Sequence, residues 1–192
     1  GGSTGFTGLL SSDAPDPRPD YYKYLPSWFY HAGDTAAGKI IEAQWGDEQN
    51  VRQINWDRLI EMNRSNLYSE PNSQTVNTTE TRGRYLLENR AEQQRNAIAN
   101  VVWNRKSGRF FYSAGLNGRI YSSRKFKIAE DLLGATVWLD VDRFADNLGV
   151  EDLIKQNDID KPNRKVRQGE KFGYDYTINI RRAEAWSQAE YH

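Results

Sequence analysis

After Lys106-Ser107-Gly108 the chain alternates over more positions than a strand of a soluble domain needs. Its even positions read Phe110, Tyr112, Ala114, Leu116, Gly118 and Ile120, and its odd positions Phe111, Ser113, Gly115, Asn117, Arg119 and Tyr121. Successive strand side chains point to opposite faces, so one face is apolar and the other largely polar. A membrane β-barrel wall, with lipid outside and a wet lumen inside, has this pattern. A water-soluble sandwich can share it, and the layout around the turn decides between them.

Strand character begins near Thr81 and runs through Tyr85, Leu86 and Leu87, a polar Asn89 to Asn96, and then Ala97, Ala99, Val101 and Trp103. Ordinary strands run about five or six residues, so two unbroken arms of this length are unusual in a soluble domain. Ser122 to Glu170 is a long excursion, with a turn of helix predicted at Ile128 to Leu133, another at Val141 to Ala145, and turn chemistry at Asp160-Lys161-Pro162-Asn163-Arg164. Alternation resumes in Lys171 to Tyr191, where Phe172, Tyr174, Tyr176, Ile178 and Ile180 share one parity and Ala183, Ala185, Ser187, Ala189 and Tyr191 the other. The phase change near Arg181-Arg182 predicts either a bulge or a passage from an extramembrane part into the wall.

Short turns at one end and long loops at the other are the layout of outer-membrane barrels. The fold expected is therefore all-β: about three long strands of a transmembrane antiparallel barrel, with long extracellular loops carrying short helices. Residues 1–80 form an extracellular loop region, 81–121 a long hairpin of the wall, 122–170 a second extracellular loop and 171–192 a further barrel strand. The turn at Lys106-Ser107-Gly108 faces the periplasm.

Within the first region, Gly1 to Pro26 reads as irregular because of its prolines, and Gly1-Gly2-Ser3-Thr4-Gly5 as a cut or linker. Asp34 is positioned to cap a helix running to Trp45 and stopped by Gly46, and Asn55 to cap another running to Met62. Ser65 to Thr79 reads as a loop.

Composition removes several function classes. The 26 basic and 26 acidic residues cancel, which argues against a nucleic-acid partner. Cysteine is absent, so no disulfide, thiolate metal site or cysteine nucleophile exists. No run approaches the roughly 20 apolar residues of a membrane helix, which excludes a helical membrane protein and leaves a strand barrel open. His31 and His192 lack a second ligand at metal spacing, and no phosphate loop, dinucleotide fingerprint or Ser-His-Asp order is present. No cofactor, metal or catalytic residue is expected.

Two kinds of site residue remain. The aromatic block Tyr21, Tyr22, Tyr24, Trp28 and Tyr30 offers rings for stacking on a ligand, or packs a loop domain from inside. Trp56, Trp138 and Trp186 read as core or interface anchors. Phe110, Tyr112, Ala114, Leu116 and Ile120 are the expected lipid-facing set, which puts Asn117 and Arg119 in the lumen. Asp140 and Asp142, with Asp131 nearby, invite comparison with a calcium site or a glycosidase pair, but they lack the kinked loop and distal Glu of the one and any sign of desolvation for the other. Solvated loop carboxylates are the simpler reading.

Several motifs carry a resemblance. They are Ala14-Pro15-Asp16-Pro17-Arg18-Pro19-Asp20-Tyr21-Tyr22 with Leu25-Pro26-Ser27, and Gln53-Ile54-Asn55-Trp56-Asp57-Arg58-Leu59 with Asn63. Later come Asp131-Leu132-Leu133-Gly134, Trp138-Leu139-Asp140-Val141-Asp142-Arg143-Phe144-Ala145, Asn163-Arg164 and Gly169-Glu170-Lys171-Phe172-Gly173-Tyr174-Asp175-Tyr176. In this order they resemble the barrel portion of TonB-dependent outer-membrane receptors, in the branch with a carboxypeptidase-regulatory-like amino-terminal domain. The resemblance implies an importer in the outer membrane of a Gram-negative bacterium. It would bind a nutrient ligand, contact outer-membrane lipid, draw energy from TonB through parts of the receptor outside this chain, and pair with a surface lipoprotein. Three long strands fall far short of the roughly 22 of a plugged barrel, so the chain reads as an internal segment. A soluble surface glycan-binding β-module, with Tyr21 to Tyr30 as its sugar platform, is the alternative. A hydrolase using Asp140 or Asp142 is the third reading.

Overall fold

Three strands of more than twenty residues each, and one shorter strand, form the sheet on which everything else is built. The computed structural model describes residues 2–69, 76–148, 151 and 154–192. In chain order the elements are β1 (Gly2–Ser11), α1 (Pro26–His31), α2 (Thr35–Asp47), α3 (Trp56–Arg64), β2 (Leu67–Ser69), β3 (Val76–Thr81), β4 (Tyr85–Ser107), β5 (Phe110–Asp131), β6 (Trp138–Leu139), α4 (Arg143–Asn147), β7 (Lys165–Val166) and β8 (Lys171–Tyr191). The main sheet has the order β1-β4-β5-β8 and is antiparallel throughout. Two small two-stranded sheets, β2-β3 and β6-β7, accompany it. The protein is thus predominantly β with antiparallel sheets, and the main sheet is open.

Ser107 pairs with Phe110, so β4 and β5 meet in a two-residue turn, Gly108-Arg109, rather than the three-residue Lys106-Ser107-Gly108. Gly108 supplies the positive φ of 59° that a right-twisted hairpin needs at the first turn position.

Several expectations are corrected. Residues 2–11 are a strand, paired from Gly2↔Gln94 to Ser11↔Tyr85, and not a linker. Backbone bonds hold this Gly-, Ser- and Thr-rich strand, so it shows no apolar alternation to read. The helical turn expected at Ile128 to Leu133 is strand to Asp131, because the Ala129 N–H donates to Glu170 O at 2.9 Å and its carbonyl accepts from Gly169 N at 2.7 Å. Within the expected loop 65–79, β2 pairs with β3 to bury Tyr68; residues 70–75 lie outside the described residues.

The helix predicted at Val141 to Ala145 forms as α4, starting two residues later with Asp142 as its cap. α2 and α3 start where expected, capped by Asp34 and Asn55 side chains that accept from Ala37 N and Arg58 N. Gly46 falls inside the last turn of α2 instead of stopping it.

No bulge occurs at Arg181-Arg182, where pairing with Ile120 and Arg119 is continuous. The register breaks at Gly173-Tyr174, between Phe126↔Asp175 and Lys127↔Phe172, with Gly173 at φ 70°. The parity change in β8 therefore moves apolar side chains from one sheet face to the other.

The core sits at one end of the sheet, on both faces. On one face, Leu86 and Leu10 pack with Ala129, Leu132, Trp138, Val166 and Phe172. On the other, Tyr85, Leu9 and Leu87 pack with Leu59, Ile60 and Met62 of α3. Beyond this cap both faces of the long strands are bare, and nothing in the described chain covers Ile98, Val101, Trp103, Leu116 or Ile120.

Candidate functional site

The register assigns every side chain of the bare region to a face. Paired residues of an antiparallel sheet share a face, and the rows on one side are Ser107-Phe110-Tyr191, Arg105-Tyr112-Ala189, Trp103-Ala114-Ser187, Val101-Leu116-Ala185, Ala99-Gly118-Ala183 and Ala97-Ile120-Arg181. Only Arg105 and Arg181 are charged there. The corresponding rows of the other side hold five charges, Lys106, Glu190, Glu184, Arg119 and Arg182, with Asn104, Gln188, Asn100 and Asn117 among them. The sequence-derived set Phe110, Tyr112, Ala114, Leu116 and Ile120 thus shares one face, exposed apart from half-buried Ala114. Phe110 stacks on Tyr112 at 5.9 Å and meets Tyr191 at 5.0 Å, which gathers the aromatic rings at the turn end of that face.

On the polar face the side chains bond to one another. Asn117 Nδ2 donates to Glu184 Oε2 at 3.1 Å, Arg119 Nε to Asn96 Oδ1 at 3.0 Å, and Arg182 pairs with Glu184. Trp186 covers Gly115, whose missing side chain leaves room for the indole.

The aromatic block is split. Tyr21, Tyr22, Tyr24 and Trp28 form one surface cluster, with Tyr21–Tyr22, Tyr21–Tyr24 and Tyr22–Trp28 centroids at 4.7, 5.3 and 5.2 Å. Lys23 lies 5.8 Å from the Tyr22 ring and 5.9 Å from that of Trp28, close enough for cation–π attraction. Pro26 at the first turn of α1 fixes the backbone that presents Trp28. Tyr30 instead turns onto α2, covering Gly38 and donating to Glu42 Oε2 at 2.6 Å; that bond to a carboxylate raises its phenol above the ordinary tyrosine range.

Beside this cluster lies a cleft of about 730 Å³ that the sequence did not point to. Tyr24, Gln53, Trp56, Asp57 and Arg58 line it, with Tyr85 among the other lining residues. The Tyr85 hydroxyl donates to Pro15 O at 2.8 Å and so fixes the proline-rich segment against the sheet. Trp56, expected as an anchor, is 43% exposed, whereas Trp138 is buried in the core. The only prior sign of the cleft was the co-occurrence of the two polar-aromatic motifs whose residues form its walls.

Of the loop carboxylates, Asp131 and Asp142 are exposed, as expected, and Asp140 is buried. Asp140 is 2% exposed; its Oδ1 accepts from Gly173 N at 2.8 Å and Asn157 Nδ2 at 2.9 Å, and Arg164 lies 3.4 Å from its Oδ2. Asp142 caps α4, and Asp131 accepts from Leu133 N at 2.8 Å. Each acid in the trio has a structural job in holding a loop. Among the described residues no group of three His, Cys, Asp or Glu side chains is placed to hold a metal ion, and no helix is long and apolar enough to cross a membrane.

No protein-family model matches the chain, and neither a curated protein nor a solved structure matches it.

Proposed function

We propose that this chain is part of the wall and outer loops of a TonB-dependent outer-membrane receptor that captures a nutrient ligand and passes it inward. One observation carries the reading: the long strands are capped on both faces at one end and bare beyond it, with one bare face apolar and the other polar.

Dimensions support it. Phe110 to Ile120 spans about 34 Å at a strand rise of about 3.4 Å per residue, and a tilt of about 45° brings that to about 24 Å of height, near the roughly 25 Å apolar band of such barrels. Aromatic rings at the turn end and arginines at the other end bound the band, as interfacial side chains do. The main sheet is open, so neighbouring strands complete the barrel. The aromatic cluster Tyr21, Tyr22, Tyr24 and Trp28, with the cleft beside it, lies in the first loop region and is the ligand-facing surface in this reading. TonB acts through parts of the receptor outside this chain, and a surface lipoprotein is a partner of the loops.

Spin labels at Leu116 and Asn117 in bilayers test the reading. Collision with lipid-soluble oxygen at Leu116, and with a water-soluble quencher at Asn117, is the expected outcome; equal access of both labels to the aqueous quencher would remove the wall. The second reading, a soluble glycan-binding module, is favoured by the surface cluster of four aromatic side chains alone. It predicts a detergent-free soluble protein that loses glycan binding on Trp28→Ala.

A further inference from the structure

Directly above the apolar band, on its own face, lie two arginines with no acidic partner among the described residues, Arg95 and Arg181. Arg181 ends the row Ala97-Ile120-Arg181, and Arg95 begins the next row, Arg95-Ser122-Asn179. Both are exposed. Two strands and one row separate their Cα atoms, which is about 12 Å at ordinary sheet spacings, so both long side chains reach one headgroup-sized object. The nearest acid on this face, Asp175, is already held by Arg124 and Lys171, at 2.6 and 2.8 Å. The surface above the band is therefore basic and lacks a counter-ion.

Below the pair is an apolar depression of about 380 Å³, lined by Ala97, Ala99, Gly118, Ile120, Ala183 and Arg181, among others. Leu116 and Ile120 rise beside it. An apolar hollow opening onto paired guanidinium groups is complementary to an anionic amphiphile, and guanidinium suits phosphate in particular because its planar donors bind two oxygens at once.

We propose that this face holds a phosphate-bearing lipid, its headgroup on Arg95 and Arg181 and an acyl chain in the hollow at Gly118. The inference rests on the wall reading, and it places the lipid in the leaflet on the side of the long loops. Basic side chains at a membrane surface each add roughly fivefold to affinity for an anionic headgroup, so removing two weakens binding roughly thirtyfold.

The test uses the intact protein in a zwitterionic detergent, titrated with phosphatidic acid, with diacylglycerol of the same chains, and with inorganic phosphate. Phosphatidic acid is expected to bind at least tenfold tighter than diacylglycerol, and the double variant Arg95→Gln/Arg181→Gln to lose roughly thirtyfold. Lys106→Gln, on the opposite face at the turn end and outside the lining of the hollow, is expected to leave lipid binding unchanged. Gly118→Leu fills the hollow, where an added Cβ meets nothing nearer than Ala99 O at 4.0 Å, and is expected to weaken phosphatidic acid while the fold persists.

Equal binding by the wild type and the double variant overturns the site, as does an equal loss in Lys106→Gln. Inorganic phosphate competing as well as the lipid would overturn the acyl-chain part. The Leu116 spin label separates the two levels of failure. A label in hydrocarbon with no arginine effect sinks this inference alone, and a label in water sinks the wall reading with it.

Discussion

The Trp186 indole lies over Gly115 so closely that a Cβ on Gly115 would fall 2.5 Å from its Cε2. The two residues are partners across β5 and β8, on the polar face of the sheet. A glycine, which weakens a strand interior, is here offset by an aromatic ring from the neighbouring strand. Gly115→Ala is expected to destabilise the protein by about 1–3 kcal/mol through overpacking. The Trp186→Ala companion should absorb most of that loss, so the double variant should fall short of the sum in a denaturant-melt cycle. Additive losses would show that the ring does not depend on the missing side chain.

Asn63 ties the cap together. Its Nδ2 donates to Tyr85 O, Leu132 O and Leu133 O at 2.8, 2.9 and 3.1 Å, and its Oδ1 accepts from Arg84 N and Tyr85 N at 2.8 and 3.0 Å. It is fully buried, so truncation strands carbonyls and amides of two separate segments away from water. Asn63→Ala is expected to cost about 3 kcal/mol or more. Asn63→Asp keeps the acceptor but turns a carboxylate toward three carbonyls, and should not rescue. Urea midpoints of the two variants check both expectations.

What the sequence disclosed, and what it hid, follows from the range of each interaction. Face assignment in Phe110 to Ile120 was legible because a period of two is written in adjacent residues. The clustering of Tyr21, Tyr22, Tyr24 and Trp28 was legible for the same reason, while Tyr30 left the group because Gly38 and Glu42 of the next helix draw it away. Ile128, Leu132 and Leu133 mimic helical spacing, yet the conformation there is set by Gly169 and Glu170, about forty residues on. Asp140 read as solvated because its partners Asn157, Arg164 and Gly173 come from later in the chain. Asn63 belongs to a motif that carries the resemblance, but nothing local showed its tethering role, since its partners lie at separations of 21 to 70 residues.

Asp175 follows the register break at Gly173-Tyr174 and is held by Arg124 and Lys171. Their hydrogen bonds, that of Arg124 foremost, lower its carboxyl below the ordinary value of 3.8. A depressed folded-state value means the unfolded chain binds the proton more readily, so this stabilisation is complete above the ordinary value and is lost as pH falls through the folded one. Asp146 has the same sign: burial, the largest influence, opposes ionisation, and the bonds from Lys155 and Arg82 outweigh it. Asp175→Asn is expected to be less stable than wild type at neutral pH, with the gap closing below about pH 4. Thermal melts of both proteins across that range are the measurement, and a gap that persists in acid would reject the linkage.

Leu116 and Asn117 are neighbours at one height of one strand, so a substitution at either meets the same backbone and the same depth, and only the face differs. Leu116 stands between Val101 and Ala185 and is 61% exposed; Asn117 stands between Asn100 and Glu184 and bonds the latter. If the apolar face meets hydrocarbon, an arginine at Leu116 carries its charge into lipid at a cost of roughly 2–4 kcal/mol near the midplane. An arginine at Asn117 is hydrated or pairs with Glu184, at little cost. Leu116→Arg is therefore expected to deplete assembled protein from the outer-membrane fraction, and Asn117→Arg to leave it near the wild-type level. Equal assembly of the two variants would mean that the apolar face does not touch lipid.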